Sequence, residues 1–213
     1  MSLMDDIRDV ARRTAYFAVL PNLLLFKSKP GHAFAGRGGT TIDEIILHGT
    51  ESKGTEEQSA DWLAGNVLSI HYFIGRTHGL VYSIISEENQ AFHAGNPAGH
   101  PTVQDHNPRS IGIEMYQRDI STFGGNAAML DFTDWQYETV SMLIYDIRRR
   151  RGISSANVKG HVEVNNVDRA DPRNFDWTRC RRRVSELSRT LGTLLGPEFK
   201  VDFDLADLRV LLP

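Results

Sequence analysis

The feature that most constrains the fold is a short apolar run, Ile45-Ile46-Leu47, which is followed directly by His48 and Gly49. A continuous apolar run of this length, bounded by polar residues and glycine, is typical of a strand that is buried on both faces of a sheet. Such a strand would hold the imidazole of His48 in a fixed position, which suits a ligand or a base. From this stretch alone, the alternative is a strand-end histidine that faces solvent.

Strand and helix patterns alternate along the rest of the chain. Two strand patterns flank a turn at 76–79 and predict a hairpin, and the stretch 110–116 predicts a strand with Glu114 on the face opposite its apolar residues. One helical stripe follows Thr133, which we expect to be an N-cap, and a second runs from Trp177 to Leu195. A hairpin combined with strands that are separated by helices predicts a single α/β domain with a central mixed β-sheet flanked by helices.

The length of 213 residues suits one domain with a full core. We divide the chain into an N-terminal helix and lead-in segment at 1–40, a main domain at 41–195, and a C-terminal tail at 196–213 that packs on the domain. The apolar stretch from Tyr16 to Phe26 is interrupted by Pro21 and follows acidic residues, so we expect neither a cleaved signal peptide nor a membrane span there. The sequence leaves open the oligomeric state, and it leaves open whether the protein is cytoplasmic or exported by a non-classical or phage-type route.

The charge and the cysteine content argue against several kinds of partner and site. The net charge is −3 and the pI is near 6.2, so no positive field favours nucleic acid or an anionic membrane. Cys180 is the single cysteine, which rules out an intrachain disulfide and a cysteine-rich zinc site. Any metal ion must therefore be held mainly by His, Asp or Glu.

A second histidine, His161, ends a short strand pattern at 157–161, and Asp171 follows ten residues later. The loop between them is long enough to fold back, and Pro172 stiffens the backbone beside the carboxylate. Together with His48, these residues supply two imidazoles and one carboxylate, which would leave a fourth position open on Zn²⁺, as in hydrolytic zinc sites. The chain has 8 histidines, so the sequence alone also allows other sets of three ligands.

Seven short motifs occur along the chain in this order: Ile-Ile-Leu-His48-Gly-Thr, Ile-His71-Tyr72-Phe-Ile, Ala-Phe-His93-Ala-Gly, Ser-Ile-Gly-Ile-Glu114, Phe-Thr-Asp-Trp-Gln-Tyr137, Gly-His161-Val-Glu-Val and Arg169-Ala-Asp171-Pro. From Thr41 to Trp177 the chain thereby resembles the zinc-dependent N-acetylmuramoyl-L-alanine amidases of type 2, a family that includes phage lysozyme-like amidases and peptidoglycan recognition proteins. Each motif is weak alone, but seven in this order are a specific signal. The resemblance implies a central mixed sheet flanked by helices, a zinc amidase domain at 41–195, and peptidoglycan or muropeptides as substrate.

Carried over residue by residue, the resemblance implies that His48, His161 and Asp171 are the zinc ligands. Glu114 matches the family's acidic residue near the metal, and the alternative is an exposed strand carboxylate. Arg169 stands where many bacterial members carry lysine, and the alternative is a surface arginine. Its charge would stabilise an oxyanion, but because arginine stays protonated, a proton-donor role considered for the lysine is in doubt here.

His71 and His93 are the candidates for substrate binding, since His93 matches a position that faces substrate in relatives. For each, the alternative is a hydrogen-bonded structural histidine. The loop from Gln117 to Asp131 is longer than a minimal link, and we expect it to shape the substrate cleft.

The implied reaction is hydrolysis of the amide bond between N-acetylmuramic acid and L-alanine. Zinc would activate the water, Glu114 would accept its proton, and Arg169 would stabilise the oxyanion. The alternative function is peptidoglycan binding without catalysis, because some recognition proteins of this family have lost a metal ligand. The sequence leaves open whether the substrate is the intact wall or a recycled anhydromuropeptide, and which stem peptide is preferred.

Overall fold

The computed structural model describes residues 26–28, 32–77, 80–96, 99–122 and 128–195. These ranges contain strands β1 (Phe26–Ser28), β2 (Glu44–Gly49), β3 (Tyr72–Ile74), β4 (Val81–Ser83), β5 (Ser110–Met115) and β6 (Val158–Gly160), and helices α1 (Glu56–Gly65), α2 (Asp134–Arg151), α3 (His161–Val164) and α4 (Trp177–Leu195). No helix within these ranges combines the length and the apolar content that crossing a membrane requires. The expected N-terminal helix and the tail at 196–213 lie outside the described residues, so the division of the chain at 40 and 195 stays a prediction.

The six strands form one mixed sheet in the order β1-β4-β3-β5-β2-β6. β3 and β4 pair antiparallel, as the hairpin pattern predicts, and the other neighbouring strands pair in parallel. The prediction of an α/β fold with a central mixed sheet is therefore confirmed. The prolines and glycines of residues 20–40 predict an irregular lead-in, but residues 26–28 form the edge strand β1. Because β1 pairs with residues 81–83, far along the chain, no local pattern reveals it.

The central strands β2 and β5 place alternate residues on the two faces of the sheet. They pair in parallel over their full lengths, so that Leu47 lies beside Ile113 and His48 lies beside Glu114. Since successive side chains of a strand point to opposite faces, the first pair and the second pair lie on different faces. We call the face with Leu47 the helix face, because α2 and α4 pack on it, and the face with His48 the cleft face.

The helix face carries the larger core. α2 begins after Thr133, which forms a capping box with Gln136, and ends at Gly152, whose φ of 71° is the left-handed conformation that glycine adopts readily. The sequence predicts both ends, because Thr133 is a favoured N-cap residue and the helical stripe stops at Gly152. The apolar core under α2 and α4 includes Ile45, Leu47, Ile111, Ile113, Met115, Val140, Leu143, Ile144, Ile147, Val184 and Leu187.

The cleft face carries a smaller core that covers only part of the sheet. α1 begins after Thr55, again with a capping box, and buries Ala60 and Leu63 against this face. The sequence predicts a helix that starts at Thr55 and points Trp62 and Leu63 inward. Leu63 is buried as expected, but Trp62 is 50% exposed, because α1 is short and lies at the edge of an opening. The uncovered part of the cleft face is the place where polar side chains collect.

Candidate functional site

β2 carries His48 to the cleft face, directly beside Glu114 of β5. Because paired residues of neighbouring strands point to the same face, both side chains enter the same space. His48 is nearly inaccessible to solvent. The next residue, Gly49, permits close packing, since a Cβ there would lie 2.9 Å from Oε1 of Gln117 and 3.5 Å from Cα of Pro172. The strand end is thereby held against the loop that contains Pro172.

His161 reaches the same place from the neighbouring strand. β6 pairs in parallel with β2, and Gly160 lies beside Leu47. His161 is the first residue of α3, whereas the sequence placed it at the end of a strand. The strand ends one residue earlier because Glu163 accepts a hydrogen bond from the backbone N–H of Gly160 at 2.7 Å and so caps α3.

The loop that carries Asp171 folds back on α3. The backbone N–H of Val162 donates to the carbonyl oxygen of Asp171 at 3.0 Å. Pro172 packs over Gly160, where a Cβ would lie 3.2 Å from Cδ of the proline. These contacts fix the Asp171 carboxylate next to His161.

Gln117 positions the loop that contains Pro172, and no sequence pattern singles it out. Its side chain is fully buried two residues after the end of β5. Nε2 donates to the carbonyl oxygens of Leu130 at 3.1 Å and Arg173 at 2.8 Å. Leu130 lies 13 residues and Arg173 lies 56 residues further along the chain. A glutamine that follows a predicted strand therefore has no local signal that separates it from a surface residue.

The three predicted ligands converge on one point. Nδ1 of His48 lies 3.0 Å from Nδ1 of His161, and Oδ2 of Asp171 lies 3.2 Å from each of these nitrogens. Ligand atoms bound at about 2.0–2.2 Å around a tetrahedral zinc ion stand roughly 3.3–3.5 Å apart. The set therefore needs to open by only a few tenths of an ångström to hold zinc, and its three donors leave one tetrahedral position for water or substrate.

Burial and mutual contacts set the protonation of this cluster. Burial lowers the pKa of His48 to about 4, although the Asp171 carboxylate opposes this shift. Burial alone would raise the pKa of Asp171, but the imidazoles of His161 and His48 hold that pKa well below its usual range. Near neutral pH, His48 is therefore a neutral imidazole and Asp171 a carboxylate, which are the forms that bind metal ions.

Glu114 supplies a second carboxyl group beside the three predicted ligands. Burial raises the pKa of Glu114 well above its ordinary value, and the carboxylates of Asp171 and Glu51 raise it further. A carboxyl group with a raised pKa can exchange protons closer to neutral pH, which suits a general acid or base. The side chain is partly buried at the floor of a cavity, and this disagrees with the alternative of an exposed strand carboxylate.

An open cavity of about 600 Å³ lies over the cluster on the cleft face. Trp62 and Leu68 contribute apolar walls, and Arg169 lies at the edge with 42% of its side chain exposed. The nearest carboxylate pairing for Arg169 is with Asp168, at 3.9 Å from its Nε. The guanidinium thus borders the same cavity as the ligands and Glu114.

The loop at 117–131 was expected to shape this cleft. None of its described residues lines the cavity, and residues 123–127 lie outside the described part of the chain. The described residues therefore give that expectation no support.

His93 borders the cavity but also contacts a predicted ligand. Its Nδ1 lies 3.0 Å from Nε2 of His48, and its Nε2 lies 3.2 Å from Oγ of Ser110. Both ring nitrogens therefore have partners inside the protein. A structural role, in which the ring is held by hydrogen bonds within the protein, therefore describes His93 at least as well as substrate binding does.

His71 is fully buried and does not line this cavity, which favours the hydrogen-bonded alternative over substrate binding. Its Nδ1 accepts a hydrogen bond from the backbone N–H of Gly112 at 3.0 Å. Its Nε2 lies 3.1 Å from the carbonyl oxygen of Asn89 and 2.8 Å from Nη2 of Arg37. Arg37 is itself buried, and it fixes the lead-in segment against the start of β5 by donating to the carbonyl oxygen of Ser110 at 3.1 Å.

The fold is similar to several solved amidase structures. A crystal structure of a Se-Met AmpD derivative has 21% identity and a TM-score of 0.60, covering 75% of this chain and 94% of that chain. AmpDh3 from Pseudomonas aeruginosa, in complex with anhydromuramic pentapeptide, has 21% identity and a TM-score of 0.57, covering 84% and 77%. AmiD from E. coli, in complex with the substrate anhydro-N-acetylmuramic acid-L-Ala-D-gamma-Glu-L-Lys, has 23% identity and a TM-score of 0.56, covering 68% and 59%. At these identities the likeness concerns the fold.

The sequence itself decides the family. No curated protein matches the chain significantly. The family profile described as N-acetylmuramoyl-L-alanine amidase matches residues 38–174, which is more than half of the chain and includes all three predicted ligands. The protein therefore belongs to the N-acetylmuramoyl-L-alanine amidase family.

Proposed function

We propose that this protein is a zinc-dependent hydrolase that cleaves the amide bond between N-acetylmuramic acid and L-alanine in peptidoglycan or muropeptides. The observation that carries the proposal is the convergence of His48, His161 and Asp171 within 3.2 Å of one another, beside Glu114 in an open cavity. All three ligand positions hold residues that bind zinc well. This completeness favours catalysis over the alternative of a recognition protein that only binds peptidoglycan.

The ligands and the acid/base group have separate roles in this proposal. A zinc ion held by the three ligands would lower the pKa of a water molecule and polarise the amide carbonyl group. Glu114 accepts the proton that the attacking water loses and returns it to the leaving amine of L-alanine. Its raised pKa supports this role, since the proton must be both taken up and released near neutral pH.

Arg169 stabilises the negative charge that develops on the carbonyl oxygen. A guanidinium at the edge of the cavity can donate to that oxygen without a proton transfer. The partial exposure of its side chain leaves it able to turn toward a substrate.

The volume of the cavity and the likeness of the fold to AmiD and AmpDh3 support the substrate class. A cavity of about 600 Å³ lies within the range of roughly 300–1,000 Å³ that is usual for small-molecule sites. AmiD and AmpDh3, which share the fold, hold anhydromuramyl peptides in their complexes. We therefore expect a muramyl peptide to occupy this cavity with its lactyl–alanine amide next to the ligands.

The test is digestion of purified sacculi and of soluble muropeptides, with mass analysis of the products. We expect release of a stem peptide with a free N-terminal L-alanine, loss of this activity with a chelator, and its return when zinc is added. His161→Ala should lose both zinc and activity. Binding without any cleavage would support the recognition protein instead, and full activity with full zinc content in the variant would contradict the proposal.

A further inference from the structure

The second nitrogen of His48 begins a chain of hydrogen bonds that leads away from the ligands. Nδ1 of His48 faces Asp171, whereas Nε2 lies 3.0 Å from Nδ1 of His93. Nε2 of His93 lies 3.2 Å from Oγ of Ser110. The hydroxyl of Ser110 in turn donates to the backbone carbonyl oxygen of His106 at 2.6 Å.

The carbonyl at the end of this chain fixes the direction of every hydrogen bond in it. A carbonyl oxygen only accepts, so the one hydroxyl proton of Ser110 is directed at His106. Oγ of Ser110 must then accept from His93, which places the proton of the neutral His93 ring on Nε2. Nδ1 of His93 is left as an acceptor, and it takes a hydrogen bond from Nε2–H of His48. Nδ1 of His48 therefore carries a free lone pair, directed at the point where the ligands converge.

Without His93, the nearest charge would favour the other tautomer of His48. Oδ2 of Asp171 lies 3.2 Å from Nδ1 of His48 and would attract a proton to that nitrogen. A protonated Nδ1 has no lone pair to offer a metal ion. The acceptor on His93 opposes this preference.

The surroundings hold His93 rigidly in place. A Cβ on Gly112 would lie 2.7 Å from Cγ of His93, so the ring packs on the strand where glycine leaves room. The backbone N–H groups of His93 and Ala94 donate to Oδ1 of Asn107 at 3.0 and 2.8 Å. Ser110 is fully buried at the start of β5.

We propose that His93 and Ser110 are positioning residues that select the Nε2–H tautomer of His48 and thereby present its Nδ1 to zinc. The inference rests on the proposed zinc function and deepens it by assigning His93 a role other than substrate binding. Metal-binding histidines commonly donate their other N–H group to a protein acceptor, and the loss of such an acceptor typically weakens metal affinity about 10- to 100-fold. In this protein the acceptor is a second histidine, whose own tautomer is set by a serine.

The test measures zinc affinity of the full chain by competition with a chromophoric chelator, so that it does not depend on activity. His93→Leu removes the acceptor, and its zinc dissociation constant should rise about 10- to 100-fold. His93→Asn places an amide oxygen where Nδ1 was, so it should retain more affinity than the leucine variant. Ser110→Ala should weaken binding less than His93→Leu, because the imidazole acceptor is still present. His32→Leu, at an exposed histidine, is the matched control and should bind zinc like the wild type.

A double variant separates tautomer selection from general destabilisation. If Ser110 acts only through His93, adding Ser110→Ala to His93→Leu should cause little further loss of affinity, whereas independent structural effects would add. Thermal unfolding of each metal-free variant shows which variants fold. If His93→Leu does not fold, the zinc affinities of His93→Asn and Ser110→Ala are compared with that of the wild type, and unchanged affinities would overturn the positioning role.

The measurement of zinc affinity distinguishes a failure of the proposed function from a failure of the positioning role. A wild-type protein that binds no zinc overturns the proposed function. If the wild type binds zinc, two results would overturn the positioning role alone. One is unchanged zinc affinity in folded His93 and Ser110 variants. The other is additive losses of affinity in the double variant.

Discussion

The two faces of the central sheet use the same strands for different purposes. On the helix face, Leu47 and Ile113 are buried in an apolar core under two long helices. On the cleft face, their immediate neighbours His48 and Glu114 lie under an opening that the short helix α1 leaves uncovered. The two-residue period of a strand thus lets one rigid element support a core and hold reactive groups. The comparison predicts that substitutions one residue apart will affect different properties.

The largest expected difference lies between His48→Ala and Leu47→Ala. His48→Ala removes a ligand, so zinc binding should be lost and hydrolysis should fall by at least about 10⁴-fold. Leu47→Ala opens a cavity in the helix-face core and should lower the free energy of unfolding by about 2–5 kcal/mol. Zinc content, muropeptide hydrolysis and denaturant unfolding of the metal-free variants check both. Equal losses of stability and activity in the two variants would remove the distinction between the faces.

The next pair is Glu114→Gln and Ile113→Val. The glutamine keeps the shape of the side chain but cannot exchange the proton, so kcat should fall about 10³-fold while zinc remains bound. Ile113→Val removes one buried methylene, should cost about 0.5–1.5 kcal/mol of stability, and should leave kcat nearly unchanged. Steady-state kinetics with metal analysis separate these effects. A glutamine variant with wild-type kcat would exclude Glu114 as the proton acceptor.

Arg169 tests whether a loop residue at the cavity edge contributes to the cleft-face chemistry. Arg169→Ala should lower kcat about 10²-fold, because the developing oxyanion loses a charged donor. Arg169→Lys should restore part of this loss, since the charge remains but the planar fork does not. Zinc affinity should be similar in both variants. If kcat stays at the wild-type value in Arg169→Ala, the residue is a surface arginine after all.

The smallest expected effect concerns the pH profile. The Glu51 carboxylate contributes to the raised pKa of Glu114, after burial and Asp171. Glu114 must be deprotonated to act as a base, so kcat/KM should decline on the acid side as it becomes protonated. Glu51→Gln removes a negative charge, lowers the pKa of Glu114, and should move this acid limb to lower pH by less than about one unit. A shift to higher pH would show that another group controls the acid limb.

Local patterns account for much of the fold and for the ligands. The alternation in β5, the helix starts at Thr55 and Thr133, and the hairpin pairing of β3 with β4 are short-range features, and the sequence predicts each of them. The sequence could single out the three predicted ligands because each of them stands in a recognisable motif, and the fold brings these residues together. Contacts between distant residues could not be read in the same way: the pairing of β1 with β4 and the side-chain contacts of Gln117 depend on segments that only the fold brings together.

The histidines show the same limit within the site. The sequence indicates that His71 and His93 belong near the cleft, but not that one is buried against Gly112 and the other against His48. Trp62 fits the apolar stripe of a helix, and its exposure follows from how little of the cleft face α1 covers. Residue type and spacing therefore identify the members of the site, whereas packing decides their roles.

The most direct measurement is a titration of metal-free protein with zinc, in which muropeptide hydrolysis is followed as a function of zinc bound per chain. We predict no hydrolysis without metal, a linear rise with added zinc, and saturation at one zinc per chain. Hydrolysis by the metal-free protein, or activity that does not depend on bound zinc, would contradict a single zinc site on the cleft face.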